Sequence, residues 1–258
     1  MGFAIAICFL VLLSSTADLF ADWKKVSASP PIPLPANAFF HEVEVESSGV
    51  KVRIFAVLFN EAKCRLHVVD NPPWVANHLE NAMMQRGDFA GINGGYFQMD
   101  SAPIGLVISD RRILNPLGKA RLLSGIIEIR KNSIRLVRSA EFCLSKQVMD
   151  ALQGGPFLVE HGRVIRGLND IRAARRTIVA SDSHGNWALI SMTPLTLAQA
   201  GELLAKPDIF PNWCTFNALN LDGGSSTAFW VATKPTPFAI HEFGMVRNFL
   251  GLIPQNIP

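Results

Sequence analysis

Short apolar segments, separated by turn residues, fill most of the chain and predict a β-rich domain. Residues 41–47 ("HEVEVES") alternate polar and apolar positions, as a half-buried strand does. Asn60 and Glu61 interrupt the next apolar stretch, which predicts a hairpin of residues 50–59 and 63–70. Further strands are predicted from these segments: "FAGIN", "IGLVIS", "GIIEIR", "IRLV", "FLVE", "TIVASD", "WALISM" (paired with "TIVASD" across "SHGN"), "ALNL", "TAFWVA" and "NFLGLI".

Three stretches predict helices among these strands. The first begins at Asn71, carries an apolar face at four-residue spacing and stops at Gly87. The second covers residues 146–153, and the third begins at a capping box formed by Thr196 and Gln199. Strands and helices do not alternate strictly, and no dinucleotide-binding glycine pattern follows the first strand. The predicted fold class is α+β, with a mixed or antiparallel β-sheet core and a few packed helices.

The N-terminal part of the chain differs from the rest. Residues 3–13 ("FAIAICFLVLL") form an apolar run too short to span a bilayer as a helix, and small residues follow it. This pattern is typical of a secretory signal, with cleavage after Ala17 or, less readily, after Ala21. An uncleaved anchor and a buried strand are the alternatives, because no Lys or Arg precedes the run. We expect a signal peptide (1–17), a proline-rich linker (18–38) and a secreted or periplasmic domain (39–258) without a membrane span.

Composition narrows the class of protein. Of 258 residues, 49% are hydrophobic and 17% are charged, as in a globular protein with an ample core. The net charge of +3 comes from scattered residues, so no nucleic-acid partner is expected. Neither the histidines nor Cys64, Cys143 and Cys214 show metal-ligand spacing, so neither a metal nor another cofactor is predicted. The three cysteines are compatible with one disulfide and a free thiol, or with three free thiols.

Three glycine pairs interrupt apolar segments of the chain: Gly94-Gly95, Gly154-Gly155 and Gly223-Gly224. Glycine permits positive φ and close backbone approach, and consecutive N–H groups at such turns form concavities that bind anions. Each pair taken alone is better explained as a tight turn without a ligand. The three turns are nevertheless the first candidates for a binding site.

Two polar side chains next to glycine pairs strengthen this interpretation. Asp222 follows an apolar strand, where burial raises the pKa of a carboxyl unless donors compensate. Such a carboxylate serves as a general base, a nucleophile or an acceptor for sugar hydroxyls. Asn93 offers donors and an acceptor directly before the first pair. The structural alternatives are a turn-capping Asp222 and an Asn93 chosen for left-handed backbone geometry.

Arg176 is the candidate cation of the site. It stands directly before an apolar strand, where its guanidinium fork suits a phosphate or a carboxylate. The neighbouring Arg172 and Arg175 are expected to face solvent. The structural alternative for Arg176 is an ion pair with Asp222 or Asp182.

Six sequence elements follow one another between about residues 89 and 254: "GINGGYF", "ALQGGPFLVEHGRV", "RRTIVASDSHGNWALISM", "LTLAQAGELL", "ALNLDGGSSTAFWV" and "VRNFLGLIP". In their order and spacing they together resemble the phosphodiester glycosidase family. The resemblance implies an exported hydrolase that cleaves a sugar from a sugar-1-phosphate diester, so a glycan or sugar-phosphate diester is the expected partner. Ser225 stands where members often have a third glycine, and Phe243-Gly244 stand where some have an arginine. These departures concern which substrate the protein accepts rather than whether the site exists.

The resemblance also implies which residues form the site. Catalytic roles fall on Asp222, Arg176 and Asn93: Arg176 would hold the phosphate, and Asp222 would activate water or bind sugar hydroxyls. Asn93 and Asn248 would fix the substrate by hydrogen bonds. Substrate-binding roles fall on the glycine turns, the Arg-Thr motif and the last strand, through Gly94, Gly95, Gly155, Thr177, Gly223, Gly224, Ser225, Ser226, Thr227 and Asn248.

Other functions remain open at the level of sequence. Glycoside hydrolysis commonly uses two carboxylates, and only Glu160 and Asp182 are candidates for a second one. The main alternative is a non-catalytic glycan- or phosphoglycan-binding protein of the cell envelope. A serine or cysteine hydrolase using Ser225, Ser226 or Cys214 is a further alternative, although the Gly-x-Ser-x-Gly motif is missing.

Overall fold

The computed structural model describes residues 22–255, which form three β-sheets and two short helices. The helices are α1 (Leu79–Arg86) and α2 (Leu197–Leu204). The strands are β1 (Lys24–Ala28), β2 (Ile32–Pro33), β3 (Phe39–Ser47), β4 (Val50–Asn60), β5 (Cys64–Asp70), β6 (Ala90–Asn93), β7 (Val107–Ser109), β8 (Arg112–Asn115), β9 (Gly125–Arg130), β10 (Ile134–Arg138), β11 (Val148–Gly154), β12 (Phe157–Glu160), β13 (Arg163–Val164), β14 (Ala174–Ser181), β15 (Asn186–Leu195), β16 (Asn217–Asn220), β17 (Phe229–Val231), β18 (Phe238–Ile240) and β19 (Asn248–Pro254).

The large sheet has nine strands in the order β1-β3-β4-β15-β14-β16-β12-β13, with β2 also paired to β3. Strands β14 and β15 pair across the turn that follows Asp182, as predicted. The segment expected to be a linker contributes β1 and β2, which pair with β3. The predicted signal peptide lies outside the described residues.

The other two sheets have five strands each. The second sheet has the order β18-β17-β6-β19-β5, and the third has the order β10-β9-β11-β7-β8. Apolar side chains of all three sheets meet in one core, where Val57 and Val179 of the large sheet join Leu66 and Ile92 of the second and Ile127 of the third. Each such side chain, fully buried, contributes about 1.5–3 kcal/mol to folding. This core fixes the relative positions of the three sheets.

The predicted antiparallel sheet core with few helices is confirmed, but the α+β class needs correction, because the fold is almost entirely β. All strand pairs of residues 22–255 are antiparallel, and the helices α1 and α2 are short. The helix predicted for residues 146–153 is wrong, because this segment forms β11. Leu152 of β11 pairs with Ile127 on one side and Val107 on the other, and pairing on both edges outweighs a helix-compatible local pattern.

Two local predictions differ from the structure, one in strand pairing and the other in the first residue of a helix. Residues 50–59 and 63–70 do not form a hairpin, because the chain passes at Asn60 from the large sheet into the second sheet. The first helix begins at Leu79 rather than near Asn71, since Glu242 accepts a hydrogen bond from the Leu79 N–H and so caps the helix there. Its predicted end at Gly87 and the capping box of α2 are both confirmed.

One end of the second sheet contains a buried ion pair. His67 of β5 lies with its Nε2 2.6 Å from Asp88 Oδ1, and each of these residues is only 4% exposed. Gly251 of β19 packs against both side chains and has no room for a Cβ. Burial raises the pKa of Asp150 on β11, and the Asp110 N–H and nearby His67 oppose that rise only in part. Asp88 is thus paired with His67 through Oδ1, while its buried Oδ2 has no hydrogen-bond partner among the described residues.

Within residues 22–255, neither helix has the length and apolar character that a bilayer span requires.

Candidate active site

The three glycine turns meet at Tyr96, the single tyrosine of the chain. Its hydroxyl lies 2.7 Å from the carbonyl oxygen of Gly155 and 3.1 Å from that of Leu221, and it accepts a 3.0 Å hydrogen bond from Asn220 Nδ2. Gly155 has a φ of +149°, and a Cβ there would overlap the Leu122 carbonyl, so the turn requires glycine. Turns that lie more than fifty residues apart in sequence therefore form one hydrogen-bonded cluster.

Asn93 lies at the centre of this cluster and is fully buried. Its Oδ1 accepts hydrogen bonds from Thr177 Oγ1 at 2.6 Å and from the Ala228 N–H at 3.0 Å. Its Nδ2 donates to the Asp222 carbonyl oxygen at 2.8 Å. Because the side-chain oxygen already has two donors, Asn93 has little capacity left for a substrate. Its position suits it to holding the Arg-Thr motif and the Asp-Gly-Gly loop together.

Asn248, at the start of β19, shapes the first glycine turn. Its carbonyl oxygen accepts from the Gly94 N–H at 2.9 Å, and its Oδ1 accepts from the Gly95 N–H at 2.8 Å. A Cβ on Gly94 would overlap the Asn248 side chain, so only glycine allows this approach. Asn248, like Asn93, is fully buried and holds the backbone of the site.

Some buried polar atoms of this cluster have no hydrogen-bond partner among the described residues. They are Asn248 Nδ2, Thr227 Oγ1 and Asn220 Oδ1. Buried polar side chains are paired in most proteins, and exceptions are found where a water or a ligand completes the bonding. These three atoms give the cluster unused capacity to bond a water or a ligand, although unpartnered buried polar atoms also occur elsewhere, such as Asp88 Oδ2 and Ser191 Oγ.

Asp222 is the partly exposed carboxylate of the cluster. Its Oδ1 accepts a 2.8 Å hydrogen bond from the Gly223 N–H, and the Ser226 side chain also bonds to it. Burial raises the pKa of this carboxyl, and the two hydrogen bonds oppose that rise only in part. A carboxylate with a raised pKa and an open side is suited to accept a proton.

Arg176 lies at the start of β14 and is only 9% exposed. Its Nε donates to the Leu195 carbonyl oxygen at 2.9 Å, and one terminal nitrogen donates to the Arg172 carbonyl oxygen at 2.8 Å. In residues 22–255 no carboxylate forms an ion pair with it, so the predicted alternative pairing with Asp222 or Asp182 is not seen. Burial lowers the pKa of the guanidinium, which still remains a cation. A buried cation without an anion is a candidate phosphate site.

Tyr96 connects Arg176 and Asp222 electrostatically. Burial is the largest cause that raises the pKa of Tyr96; the Asp222 charge raises it further, and the Arg176 charge lowers it. Both charges therefore act on the same hydroxyl. Tyr96 is not among the site residues expected from sequence, although its place as the sole tyrosine, directly after a glycine pair, is a signal that the sequence contains.

The remaining candidates have other partners. Both oxygens of Glu160 are held by Arg138 at 2.7 Å, and Asp182 caps its own turn through the N–H groups of His184 and Asn186. Neither is a free second carboxylate at the site. In the described part of the chain no histidine bonds to a serine or a cysteine, which removes support from a serine or cysteine hydrolase. The cysteines Cys64, Cys143 and Cys214 are free thiols.

No group of three or more His, Cys, Asp and Glu side chains between residues 22 and 255 is placed to hold a metal ion. A cavity of about 820 Å³ lies elsewhere, between the segment 162–170 and α2, and none of the predicted site residues lines it. The candidate site, a polar cluster that is partly exposed at Asp222, lies outside this cavity.

A sequence profile described as phosphodiester glycosidase matches residues 87–252, a range that contains every turn of this cluster. The chain belongs to the phosphodiester glycosidase family. The family match covers the catalytic candidates Asn93, Arg176 and Asp222, and ends after Asn248. No curated protein is significantly similar to the chain in sequence.

Solved structures with a similar fold include the catalytic domain of a named enzyme. The catalytic domain of zebrafish N-acetylglucosamine-1-phosphodiester alpha-N-acetylglucosaminidase, auto-inhibited by its pro-peptide, has a TM-score of 0.61 and 17% identity over 90% of this chain and 88% of that one. A hypothetical protein from Synechocystis has a TM-score of 0.59 and 15% identity, over 84% of this chain and 62% of that one. A candidate exported protein from Burkholderia pseudomallei has a TM-score of 0.53 and 12% identity, over 81% and 77%. At these identities the likeness concerns the fold.

Proposed function

We propose that the chain is an exported hydrolase that cleaves a sugar from a sugar-1-phosphate diester. The observation that carries the proposal is the buried guanidinium of Arg176, which has no acid partner among residues 22–255 and stands beside the Asp222 loop. A phosphate would supply the missing negative charge. Membership of the phosphodiester glycosidase family and the fold shared with the zebrafish enzyme support the same reaction class.

In the proposed reaction, water adds to the anomeric carbon while the bond between that carbon and the phosphate oxygen breaks. The phosphate leaves as a monoester with the bonding oxygen, and the sugar gains a hydroxyl from water. Arg176 balances the negative charge that develops on the departing phosphate, and Asp222 accepts the proton of the attacking water. A phosphomonoester is a good leaving group, so the reaction needs less help from a second carboxylate than ordinary glycoside hydrolysis does.

The two asparagines have a different role in this proposal from the one expected from sequence. The hydrogen bonds of Asn93 go to Thr177, Ala228 and Asp222, and the Oδ1 of Asn248 bonds to Gly95. Both are therefore positioning residues that hold the loops around the substrate. The unpaired Asn248 Nδ2 is the one group of the two that remains available to a ligand.

Export is part of the proposal and is supported by sequence. The apolar run at residues 3–13 has the length and flanks of a secretory signal. The test is the N-terminus of the mature protein: chain sequencing or intact mass after expression should show a start at residue 18 or 22. A retained Met1 on a cytoplasmic protein would contradict export and leave the chemistry untouched.

The reaction is tested with a panel of sugar-1-phosphate diesters in ¹⁸O-labelled water. We expect free sugar and a phosphomonoester as products, with the label in the sugar, because the carbon–oxygen bond breaks. Label in the phosphate would show cleavage of the phosphorus–oxygen bond and would contradict the proposal. The assay thus separates a glycosidase from an ordinary phosphodiesterase.

A second function is favoured by one observation: Glu160 and Asp182 are bonded elsewhere, so the site offers a single carboxylate. A glycan- or phosphoglycan-binding protein would need no more than that. Calorimetry with the same diesters distinguishes the two functions. Saturable binding without release of sugar, retained by Asp222→Asn, would favour the binding protein.

A further inference from the structure

The start of β14 contains a second arginine, Arg175, whose hydrogen bonds go to backbone carbonyls around the candidate site. Arg175 Nε donates to the Gly224 carbonyl oxygen at 2.9 Å. One terminal nitrogen lies 3.2 Å from the His241 carbonyl oxygen, and the other lies 3.4 Å from that of Ser225. The guanidinium therefore bridges the Asp-Gly-Gly loop and His241; Arg175 is partly exposed, as expected from sequence, but it also holds the backbone of the site.

Other contacts also hold the Asp-Gly-Gly loop against Arg175 and Phe243. The Phe243 N–H donates to the Ser225 carbonyl oxygen at 2.9 Å, and the Phe243 ring lies 4.5 Å from the Arg175 guanidinium carbon. Gly223 packs directly on the Arg175 carbonyl, which leaves no room for a Cβ. The loop is thus fixed through its carbonyl groups on the side of Arg175, while Gly223 N–H and Ser226 reach Asp222 on the other.

We propose that Arg175 is a positioning residue of the site, which fixes the loop of residues 222–226 in the shape that presents Asp222. The inference rests on the proposed function for its kinetic part and on structure alone for its geometric part. A single guanidinium that bonds carbonyls of Gly224, Ser225 and His241 removes the freedom that two consecutive glycines would otherwise give the loop. Lysine, with one charged nitrogen, has no planar fork to reach these groups together.

The consequence for Asp222 has a definite sign. Two donors, the Gly223 N–H and Ser226, oppose the rise in its carboxyl pKa that burial causes. If the loop relaxes, these donors move away and the pKa rises further. The other ionisable residues around the loop include Tyr96 and Arg176 of the cluster, together with His241 and Glu242 on the segment that Arg175 contacts. None of them is altered by the substitution itself.

The test compares Arg175→Ala and Arg175→Lys with Arg112→Ala, which removes an equal charge from an exposed position on β8. The Asp222 pKa is measured by ¹³C NMR titration of the carboxyl, with its signal assigned through Asp222→Asn. We expect a higher pKa in Arg175→Ala, a smaller rise in Arg175→Lys and no change in Arg112→Ala. This measurement needs folded protein and no turnover.

Kinetics on a responsive diester give the second readout. Loss of hydrogen bonds made by a charged group should lower kcat by about ten- to a hundredfold in Arg175→Ala. KM should stay near the wild-type value, and the acidic limb of the kcat profile should move to higher pH. Added guanidinium ion should restore part of kcat in Arg175→Ala and none in Arg175→Lys, whose side chain fills the site.

The outcomes separate the inference from the proposed function. A wild-type pKa of Asp222 together with wild-type kcat in Arg175→Ala would overturn the positioning role while leaving the glycosidase standing. A wild type that releases no sugar would overturn the glycosidase, and the NMR titration would still decide the role of Arg175. If Arg175→Ala does not fold, the titration of Arg175→Lys decides it, and an unchanged pKa there overturns the inference.

Discussion

Charged side chains near the two ends of strand β6 differ in whether they have a partner of opposite charge. At the start of β6, buried Asp88 is paired with His67 at 2.6 Å. At its end, roughly 16 Å further along the strand, Asn93 joins the loops of Arg176 and Asp222, which have no ion-pair partner in the described residues. Burying an unpaired charge destabilises a fold. An arrangement that persists despite this cost indicates a ligand, whereas a paired charge indicates a structural role.

The strongest test of this contrast is Asp222→Asn. Loss of a general base should lower kcat by about 10²- to 10⁴-fold. Stability at neutral pH should not fall, because a carboxyl whose pKa is raised in the folded state makes ionisation oppose folding, and that opposition grows as pH rises through the shifted pKa. Steady-state kinetics and thermal unfolding check both parts. A variant with full turnover would remove Asp222 from the reaction.

Substitution within the buried pair of His67 and Asp88 should lower stability and leave turnover unchanged. His67→Leu leaves Asp88 without its partner in the core, which should destabilise the protein by about 3–5 kcal/mol. The kcat per folded molecule should remain near wild type, since the imidazole of His67 bonds to Asp88 rather than to a residue of the three turns. Urea unfolding together with activity of the folded fraction measures the two effects. A large loss of kcat with intact stability would reverse the assignment.

Arg176→Ala tests whether the unpaired cation binds an anion. Loss of hydrogen bonds from a charged group should lower kcat/KM by about ten- to a hundredfold. Inhibition by inorganic phosphate should weaken in parallel, because the same guanidinium would hold both. Arg112→Ala is the matched control for loss of one positive charge. Equal phosphate inhibition in Arg176→Ala and wild type would count against a phosphate site at Arg176.

The smallest effect is expected for Glu160→Gln. Its pairing with Arg138 is partly solvent-exposed, so the expected loss of stability is about 0.2–1 kcal/mol. The Arg138 guanidinium lowers the pKa of Glu160, which makes this side chain a poor proton donor near neutral pH. Turnover should be unchanged. A loss of kcat comparable to that of Asp222→Asn would identify Glu160 as the second carboxylate after all.

Much of the fold could be predicted because local patterns decide it. Most strands, the turn between β14 and β15 and the capping box of α2 follow from the spacing of apolar and turn residues. Residues 146–153 could not be assigned in this way, since their strand is imposed by neighbours on both edges. Pairing between distant segments is invisible to a local pattern.

The candidate site shows the same limit. Glycine turns, Asp222 and Arg176 were visible as residue types at strand ends. The saturated bonding of Asn93 was not, because its partners lie 84 and 129 residues away along the chain. Arg175 and Arg176 are adjacent and chemically identical. Only their surroundings in the fold distinguish Arg175, which bonds to the loop of residues 222–226, from Arg176, the candidate phosphate-binding cation.

The position of Tyr96 has a practical consequence. Because the chain contains one tyrosine, protein grown with isotope-enriched tyrosine should give a single set of ring resonances. That set would report from the junction of all three turns, between the influences of Asp222 and Arg176. Candidate substrates could then be screened by chemical shift alone, before any assay for their turnover exists.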